Sequence, residues 1–223
     1  MRKCMIKAVI FDFDGVILES ANIKTESFKD MVSGYPAEIA EQFVEYHMQH
    51  MGISRFVKFQ YFFEEILKEE YTQQREEEWG KKFQEITLDK VLKCPFVPGA
   101  KEFLEKHDEL QDLLMFVASG TPEAELQEEI QKRKLGIFFK ECHGTPGSKI
   151  EIIEEILRSY GFSPEEVVFV GDAGTDLNSA RRTGLYFIGR NTPDNQEIFK
   201  NEEYTVDNIL EIDKIINKIE DMR

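Results

Sequence analysis

The chain has 223 residues and an acidic balance, with 43 Asp and Glu against 28 Lys and Arg. That charge repels a phosphate backbone, and the apolar runs are too short to span a bilayer, so nucleic-acid and membrane partners are disfavoured. Cys4, Cys94 and Cys142 are widely separated and form no CxxC pair, which argues against a disulfide framework and a zinc site. We expect a soluble cytoplasmic protein with reduced thiols.

Short apolar runs rich in β-branched and aromatic residues predict four buried strands. In chain order these runs are residues 6–11, 113–118, 167–170 and 185–188. Helical patterns lie between them: Thr121 and Pro122 predict the N-cap and first turn of one helix, Ser148 and Glu151 predict the capping box of another, and residues 175–183 predict a third. Strands that alternate with helices indicate parallel pairing, so we predict a Rossmann-like three-layer α/β/α core.

Residues 19–92 show helical periodicity throughout and contain no comparable buried strand. The candidate core residues of this segment are Phe28, Met31, Phe43, Phe56, Phe59, Phe62, Phe63, Ile66 and Leu67. We predict a helical cap domain at 19–92, inserted into a discontinuous core made of residues 1–18 and 93–223. Linkers near residues 15–20 and 92–98 are expected to act as hinges.

Polar residues follow the predicted strands at the points where the strands end. In chain order they are Asp12, Asp14, Ser119, which Gly120 follows, Asp172 and Asp176, and Lys149 enters from the first turn of its helix. Ligands of open parallel sheets bind beyond the carboxyl ends of the strands, where such residues meet. Four crowded carboxylates repel one another unless a cation intervenes, and an oxygen-only ligand set favours Mg²⁺ over zinc.

The same residue types suit phosphoryl transfer. A phosphoryl group that is bound to Mg²⁺ and Lys149 has its charge neutralised, which leaves phosphorus open to attack by a carboxylate and to formation of an aspartyl phosphate. The Ser119 hydroxyl and backbone N–H groups around Gly120 can hold phosphoryl oxygens. A second carboxylate two residues further along can protonate the leaving oxygen and later activate water.

These residues, in this order, resemble the haloacid dehalogenase superfamily, and specifically its phosphatases with a helical cap inserted after the first motif. Residues 12–16, DFDGV, match the first motif DxDG[TV], VASG with Ser119 matches the second, Lys149 the third, and VFVGDAGTD at 168–176 the fourth. The resemblance covers the whole chain. It implies that Ser119 and Lys149 bind phosphate.

The resemblance also implies roles for the carboxylates. Asp12 looks like the nucleophile and Asp14 like the general acid/base. Asp172 looks like a Mg²⁺ ligand together with Asp12 and the backbone carbonyl of Asp14. Asp176 looks like a further ligand or a carboxylate that orients Lys149 or metal-bound water. Dehalogenases and phosphonoacetaldehyde hydrolases lack a second aspartate at the position of Asp14, so both branches are disfavoured.

Some residues of the chain separate branches of the superfamily. GISR, ending at Arg55, resembles a substrate-contacting loop of the β-phosphoglucomutases, and Arg55 is suited to a bidentate grip on phosphate or sugar oxygens. Lys24 stands where those mutases carry a hinge His, which counts against mutase chemistry. The third motif, TPGSKIE, lacks the Lys-Pro pair common in phosphoglycolate phosphatases, which weakens that assignment.

We therefore predict a Mg²⁺-dependent phosphatase that acts on a small phosphorylated metabolite, with a phosphosugar mutase as the alternative and a non-catalytic binding protein as a third reading. A monomer is expected, because the cap should remain mobile. Each residue taken singly also has a structural explanation: the aspartates can terminate strands or cap helices, Ser119 can be a cap, and Lys149 and Arg55 can be solvated.

Overall fold

The computed structural model describes residues 5–222 and contains one parallel sheet at its centre. The strands are β1 (Ala8–Phe11), β2 (Leu114–Pro122), β3 (Glu141–Thr145), β4 (Val167–Gly171), β5 (Tyr186–Arg190) and β6 (Thr205–Val206). Their order is β3-β2-β1-β4-β5-β6, and every neighbouring pair is parallel. The first strand is therefore central, and the chain reverses its direction of winding beside it.

Helices connect the strands and form the segment after β1. They are α1 (Ala21–Val32), α2 (Ala37–Gln49), α3 (Arg55–Tyr61), α4 (Gln73–Lys93), α5 (Ala100–Leu110), α6 (Glu123–Lys132), α7 (Lys149–Tyr160), α8 (Gly174–Thr183), α9 (Gln196–Phe199) and α10 (Ile212–Asp221). A π-helical turn at Phe62–Leu67 follows α3, and 3-10 turns cover Pro164–Glu166 and Ile209–Glu211.

Helices cover both faces of the sheet. Side chains of β1 alternate between the two faces, so Val9 and Phe11 pack into one hydrophobic cluster with α5, α6 and α10, while Ala8 and Ile10 pack into the other with α7 and α8. The strands β1 and β4 are consequently apolar along their whole length. This arrangement confirms the predicted three-layer α/β/α core.

Helices α1 to α4 enclose a separate aromatic cluster. Its buried members are Phe28, Met31, Val32, Phe43, Phe59, Phe62, Phe63 and Phe83, and Phe56, Ile66, Leu67 and Trp79 pack against them. Ring edges meet ring faces at several of these contacts, as between Phe28 and Phe43. The helical character of this segment is confirmed, whereas its division from the core at residues 19 and 92 stays a prediction.

Two features of the chain differ from the sequence expectations. The edge strands β3 and β6 are not anticipated, because an edge strand need not be continuously apolar. The helix expected to be capped by Thr121 begins instead at Glu123, since β2 continues to Pro122 and pairs there with Thr145 after a register shift. The Ser148 capping box of α7 is confirmed.

No helix among residues 5–222 is both long and apolar enough to cross a membrane. Cys94 and Cys142 are free thiols, in agreement with the expectation from their spacing. Cys4 lies outside the described residues.

Candidate active site

Asp12 follows the central strand directly. Its backbone N–H donates to the carbonyl of Val170 at 2.9 Å, which continues the β1–β4 ladder by one residue. The residue is only 4% exposed, and its Oδ1 accepts from the N–H of Phe13 at 2.7 Å. Gly15 then turns the chain with a φ of +78°, a conformation that glycine adopts without strain. The first motif is therefore a strand end followed by a tight turn.

Lys149 brings an ammonium group to this carboxylate from the first turn of α7. Its Nζ lies 3.0 Å from Oδ2 of Asp12 and 2.5 Å from Oδ1 of Asp176, and all three side chains are nearly inaccessible to solvent. The other oxygen of Asp176 accepts from the N–H of Ala173 at 3.0 Å. The two carboxylates hold the pKa of Lys149 well above its usual range although burial opposes them, so it is a cation.

Three buried carboxylates form a group that fits a metal ion. One oxygen from each of Asp12, Asp172 and Asp176 lies within 4.8 Å of the others. Burial, reinforced by the neighbouring carboxylates, raises the pKa of Asp12 to about 7 and that of Asp172 well above its usual range. No donor among residues 5–222 hydrogen-bonds to the Asp172 carboxylate. Oxygen donors that repel one another in this way suit a hard divalent cation such as Mg²⁺.

Asp14 has a different environment from Asp12. Its Oδ1 accepts from the Ser20 hydroxyl at 2.5 Å, and its Oδ2 accepts from the Thr121 hydroxyl at 2.9 Å and from the ammonium of Lys24. Burial alone would raise the pKa of Asp14, but the Lys24 ammonium and the two hydroxyls together lower it. The pKa values of the two aspartates of the first motif are thus shifted in opposite directions, upward for Asp12 and downward for Asp14.

The end of β2 lies beside the end of β1 in the sheet. The Ser119 hydroxyl is buried and accepts from the N–H of Thr121 at 3.0 Å. Gly120 lines the cavity above Asp12, and a Cβ built on it would lie only 2.6 Å from the carbonyl oxygen of Gly52. Helical segment and core therefore meet closely at this point.

Arg55 contacts the core and not solvent. Its guanidinium forms a bidentate ion pair with Glu125 at the start of α6, with Nη1 2.7 Å from Oε2. It lies 5.2 Å from the ring of Phe56 and 5.0 Å from that of Phe83. The residue lines the same cavity as Asp12, but two of its donors are already occupied by a carboxylate of the chain.

The cavity has a volume of about 80 Å³ and lies between the strand ends and the helices α1 to α4. The lining residues that were not predicted as site residues include Phe28, His47, Lys58, Phe83 and Thr121, and Lys24 lines the cavity as well. Thr121 had a sequence signal, because it directly follows Ser119 and Gly120 at the strand end. The helical residues had none, since helical periodicity shows which face is apolar and not which polar residue faces a cavity.

The chain is similar to known hydrolases over most of its length. Residues 9–190 match the family model described as haloacid dehalogenase-like hydrolase. The chain is 23% identical over 191 residues to the phosphorylated carbohydrates phosphatase of Thermotoga maritima, an alignment that covers 81% of this chain and 82% of that protein.

Solved structures share the fold. A protein of Haemophilus somnus described as a predicted phosphoglycolate phosphatase superposes with a TM-score of 0.72 at 20% identity, covering 94% of this chain and 97% of that one. The β-phosphoglucomutase of Clostridium difficile superposes with a TM-score of 0.73 at 15% identity, covering 96% and 98%. From the family match and the shared fold, we conclude that the chain belongs to the haloacid dehalogenase-like hydrolase family.

Proposed function

We propose that this protein is a Mg²⁺-dependent phosphomonoester hydrolase that works through an aspartyl phosphate on Asp12. The contact of the buried Asp12 carboxylate with the Lys149 ammonium, at the carboxyl end of the central strand, is the observation that carries the proposal. Family membership supports it, and so does the similarity to a relative that is named a phosphatase of phosphorylated carbohydrates.

Asp12, Asp172 and the backbone carbonyl of Asp14 are the proposed Mg²⁺ ligands. The ion supplies positive charge that offsets the negative charge of the phosphoryl oxygens. We assign Asp176 to the positioning of Lys149, because the lysine ammonium contacts Asp176 more closely than Asp12, at 2.5 Å against 3.0 Å. Lys149, Ser119 and the backbone N–H of Gly120 are the proposed contacts to the phosphoryl oxygens.

In the first step an oxygen of Asp12 forms a bond to phosphorus while the ester P–O bond breaks, and Asp14 gives its proton to the leaving oxygen. In the second step Asp14 takes a proton from water, which attacks phosphorus and releases phosphate and Asp12. The ionised Asp14 of this structure suits the second step. The first step requires its protonated form, so we expect the Lys24 contact to loosen before it.

We also propose that helices α1 to α4 act as a cap that closes over the cavity and excludes water during the transfer. The loop before α3 supports this role, because it contacts the core at two points: Gly52 approaches Gly120, and the Thr175 hydroxyl donates to the carbonyl of Met51 at 3.0 Å.

Replacement of the nucleophile tests the proposal. Wild-type protein should release phosphate from p-nitrophenyl phosphate with Mg²⁺ and lose this activity with EDTA. Asp12→Asn should reduce turnover by at least about 10³-fold, because the amide cannot act as the nucleophile. Asp89→Asn, an equivalent change at an exposed residue of α4, is the control and should leave the rate unchanged. Activity retained in Asp12→Asn would refute the mechanism.

The same assay separates the mutase alternative. A hydrolase converts a hexose phosphate to free phosphate, whereas a mutase yields an isomer and little phosphate. Chromatography of the products after incubation with glucose 1-phosphate decides between the two.

A further inference from the structure

Lys58 is a buried lysine in the wall of the active-site cavity. It lies on α3 and is only 3% exposed. It lines the same cavity as Asp12 and Asp14 but belongs to the helical segment opposite the strand ends. A phosphomonoester whose phosphoryl group meets Asp12 would therefore extend its alcohol part toward the wall that contains Lys58.

The cations of this cavity differ in how they are paired. Lys24 pairs with Asp14, and Arg55 pairs with Glu125. Among residues 5–222, no carboxylate lies within ion-pair distance of the Lys58 ammonium. Unlike Lys24 and Arg55, Lys58 thus has no carboxylate of the described chain to neutralise its positive charge.

A neutral histidine holds Lys58 in place. The Lys58 ammonium lies 3.0 Å from Nδ1 of His47, and Nε2 of His47 lies 3.0 Å from the hydroxyl of Thr25. That hydroxyl donates to the carbonyl of Ala21 at 3.1 Å, so it accepts from Nε2–H, and Nδ1 is left to accept from the lysine. Burial and the nearby ammonium lower the pKa of His47 to about 3, which keeps it uncharged.

The ammonium has two N–H donors beyond the one that His47 accepts. A ring face of Phe28 lies 5.0 Å away and stabilises a cation only weakly. A buried charge without a counter-ion is costly, and an anion that entered the cavity would remove this cost. The site is therefore prepared for a negative group.

We propose that the alcohol part of the substrate carries its own anionic group, a carboxylate or a second phosphate, and that Lys58 binds it. This inference rests on the proposed phosphomonoesterase function and specifies its substrate class. His47 is a positioning residue, since it orients the ammonium without touching the substrate. A neutral polyol phosphate, which would meet the lysine only through hydroxyls, is the competing substrate class.

The test compares esters that differ in the charge of the alcohol part. 3-Phosphoglycerate carries a carboxylate where glycerol 3-phosphate carries a hydroxymethyl group, and glucose 1,6-bisphosphate carries a phosphate where glucose 1-phosphate carries a hydroxyl. The kcat/KM of the wild-type protein should be about 10- to 100-fold higher for the charged member of at least one pair. This factor corresponds to the free energy of one hydrogen bond to a charged group. The pair that shows the preference identifies the anion as carboxylate or phosphate.

Lys58→Met keeps the apolar stem and removes the charge. It should abolish the preference by raising KM for the charged ester, with kcat/KM for the neutral ester changed by less than about threefold. Lys82→Met, at an exposed residue of α4, is the control and should keep the wild-type ratio. Equal or reversed preference in wild type, or an unchanged ratio in Lys58→Met, would overturn the proposal.

Thermal unfolding checks that the variant folds and separates a binding role from a structural one. Lys58→Met should leave Tm unchanged or higher, because it removes a buried charge without a counter-ion. A lower Tm in this variant would indicate that Lys58 stabilises the fold. The Asp12→Asn variant gives a readout without turnover: its Kd values for the two esters, measured by calorimetry, should show the same preference. Absence of any phosphate release would refute the proposed function, while a missing Kd preference would refute this inference alone.

The preference should also depend on pH. Burial, together with Lys24 from α1 and Lys149 from α7, lowers the pKa of Lys58 to about 7, and the facing His47 is neutral. The charged-to-neutral ratio of kcat/KM should be constant below that pH and fall as the ammonium loses its proton above it. A ratio that stays constant from pH 6 to about pH 9 contradicts an ionic role of Lys58.

Discussion

A methyl group at Gly120 should prevent the close approach of the loop before α3 to the core. The Cβ of an alanine there would lie 2.6 Å from the carbonyl oxygen of Gly52, 3.2 Å from its carbonyl carbon and 3.5 Å from the carbonyl carbon of Ile53. Ordinary van der Waals contacts begin at 3.4 Å. These are backbone atoms, which cannot rotate away, so the loop before α3 must retreat by about 0.8 Å.

Displacement by about 1 Å of an element that positions the substrate costs on the order of 100-fold in rate. Gly120→Ala should therefore reduce kcat/KM by about that factor if cap closure is required for transfer. The backbone N–H of residue 120 remains in the variant, so competitive inhibition by inorganic phosphate should change little. Loss of activity with a retained inhibition constant would locate the defect in closure and not in phosphate binding.

Gly34→Ala is the matched control, because a Cβ at Gly34 meets no atom within 4 Å. Steady-state kinetics of both variants, with hydrogen exchange of residues 50–54, form the assay. The exchange of this loop should increase in Gly120→Ala alone. Equal activity of the two variants would show that the close approach is not needed for catalysis.

Two further substitutions test the site and the core. Gly15→Ala places a Cβ 2.0 Å from Oδ2 of Asp172, at a φ of +78°. We therefore expect a loss of about 1–3 kcal/mol in the free energy of unfolding and weaker Mg²⁺ binding, measured as the Mg²⁺ dependence of Tm and of activity. A variant with the Tm and the Mg²⁺ dependence of the wild type would contradict the assignment of Asp172 as a ligand. His107 is buried between Asp112 and Asp213, and their hydrogen bonds raise its pKa although burial opposes this. Its protonated form therefore stabilises the fold below the pKa of the unfolded chain, and this stabilisation is lost as the pH rises through the pKa of the folded protein. His107→Gln should lower the free energy of unfolding, measured with a chemical denaturant, by about 1–2 kcal/mol at pH 6 and by less at pH 9. A loss that does not depend on pH would refute this explanation.

The residues of the candidate site could be predicted from the sequence because each of them follows a local signal. A buried strand ends before Asp12 and another before Asp172, and a capping box fixes the position of Lys149 at the start of α7. Parallel strands align their carboxyl ends, so a linear pattern predicts a spatial cluster. The direct contacts of Lys149 with Asp12 and Asp176 agree with that expectation, while the catalytic roles of these residues stay predictions.

The contacts between the helical segment and the core could not be predicted from the sequence. Lys24 reaches Asp14 and Thr121, which is 97 positions further along the chain, and Arg55 pairs with Glu125 across 70 positions. Such pairs depend on how the helices pack on the core, and a helical pattern leaves that orientation open. Arg55 was expected to be suited to a bidentate grip on the substrate. In the structure its guanidinium already forms a bidentate ion pair with Glu125, so a substrate would have to compete with that carboxylate.

Short-range periodicity and the types of residue that end each apolar run are sufficient to predict the α/β class, the strand ends and the cluster of carboxylates at the edge of the sheet. Which charged side chains form ion pairs depends on how the elements pack in three dimensions. Lys24 and Arg55 have carboxylate partners, whereas Lys58 contacts His47 and the ring of Phe28 and has no carboxylate partner among residues 5–222, although all three are basic residues on helices of the same segment. The physical reason is that ion pairing depends on distances of a few ångströms between elements, which the order of residues along one element does not specify.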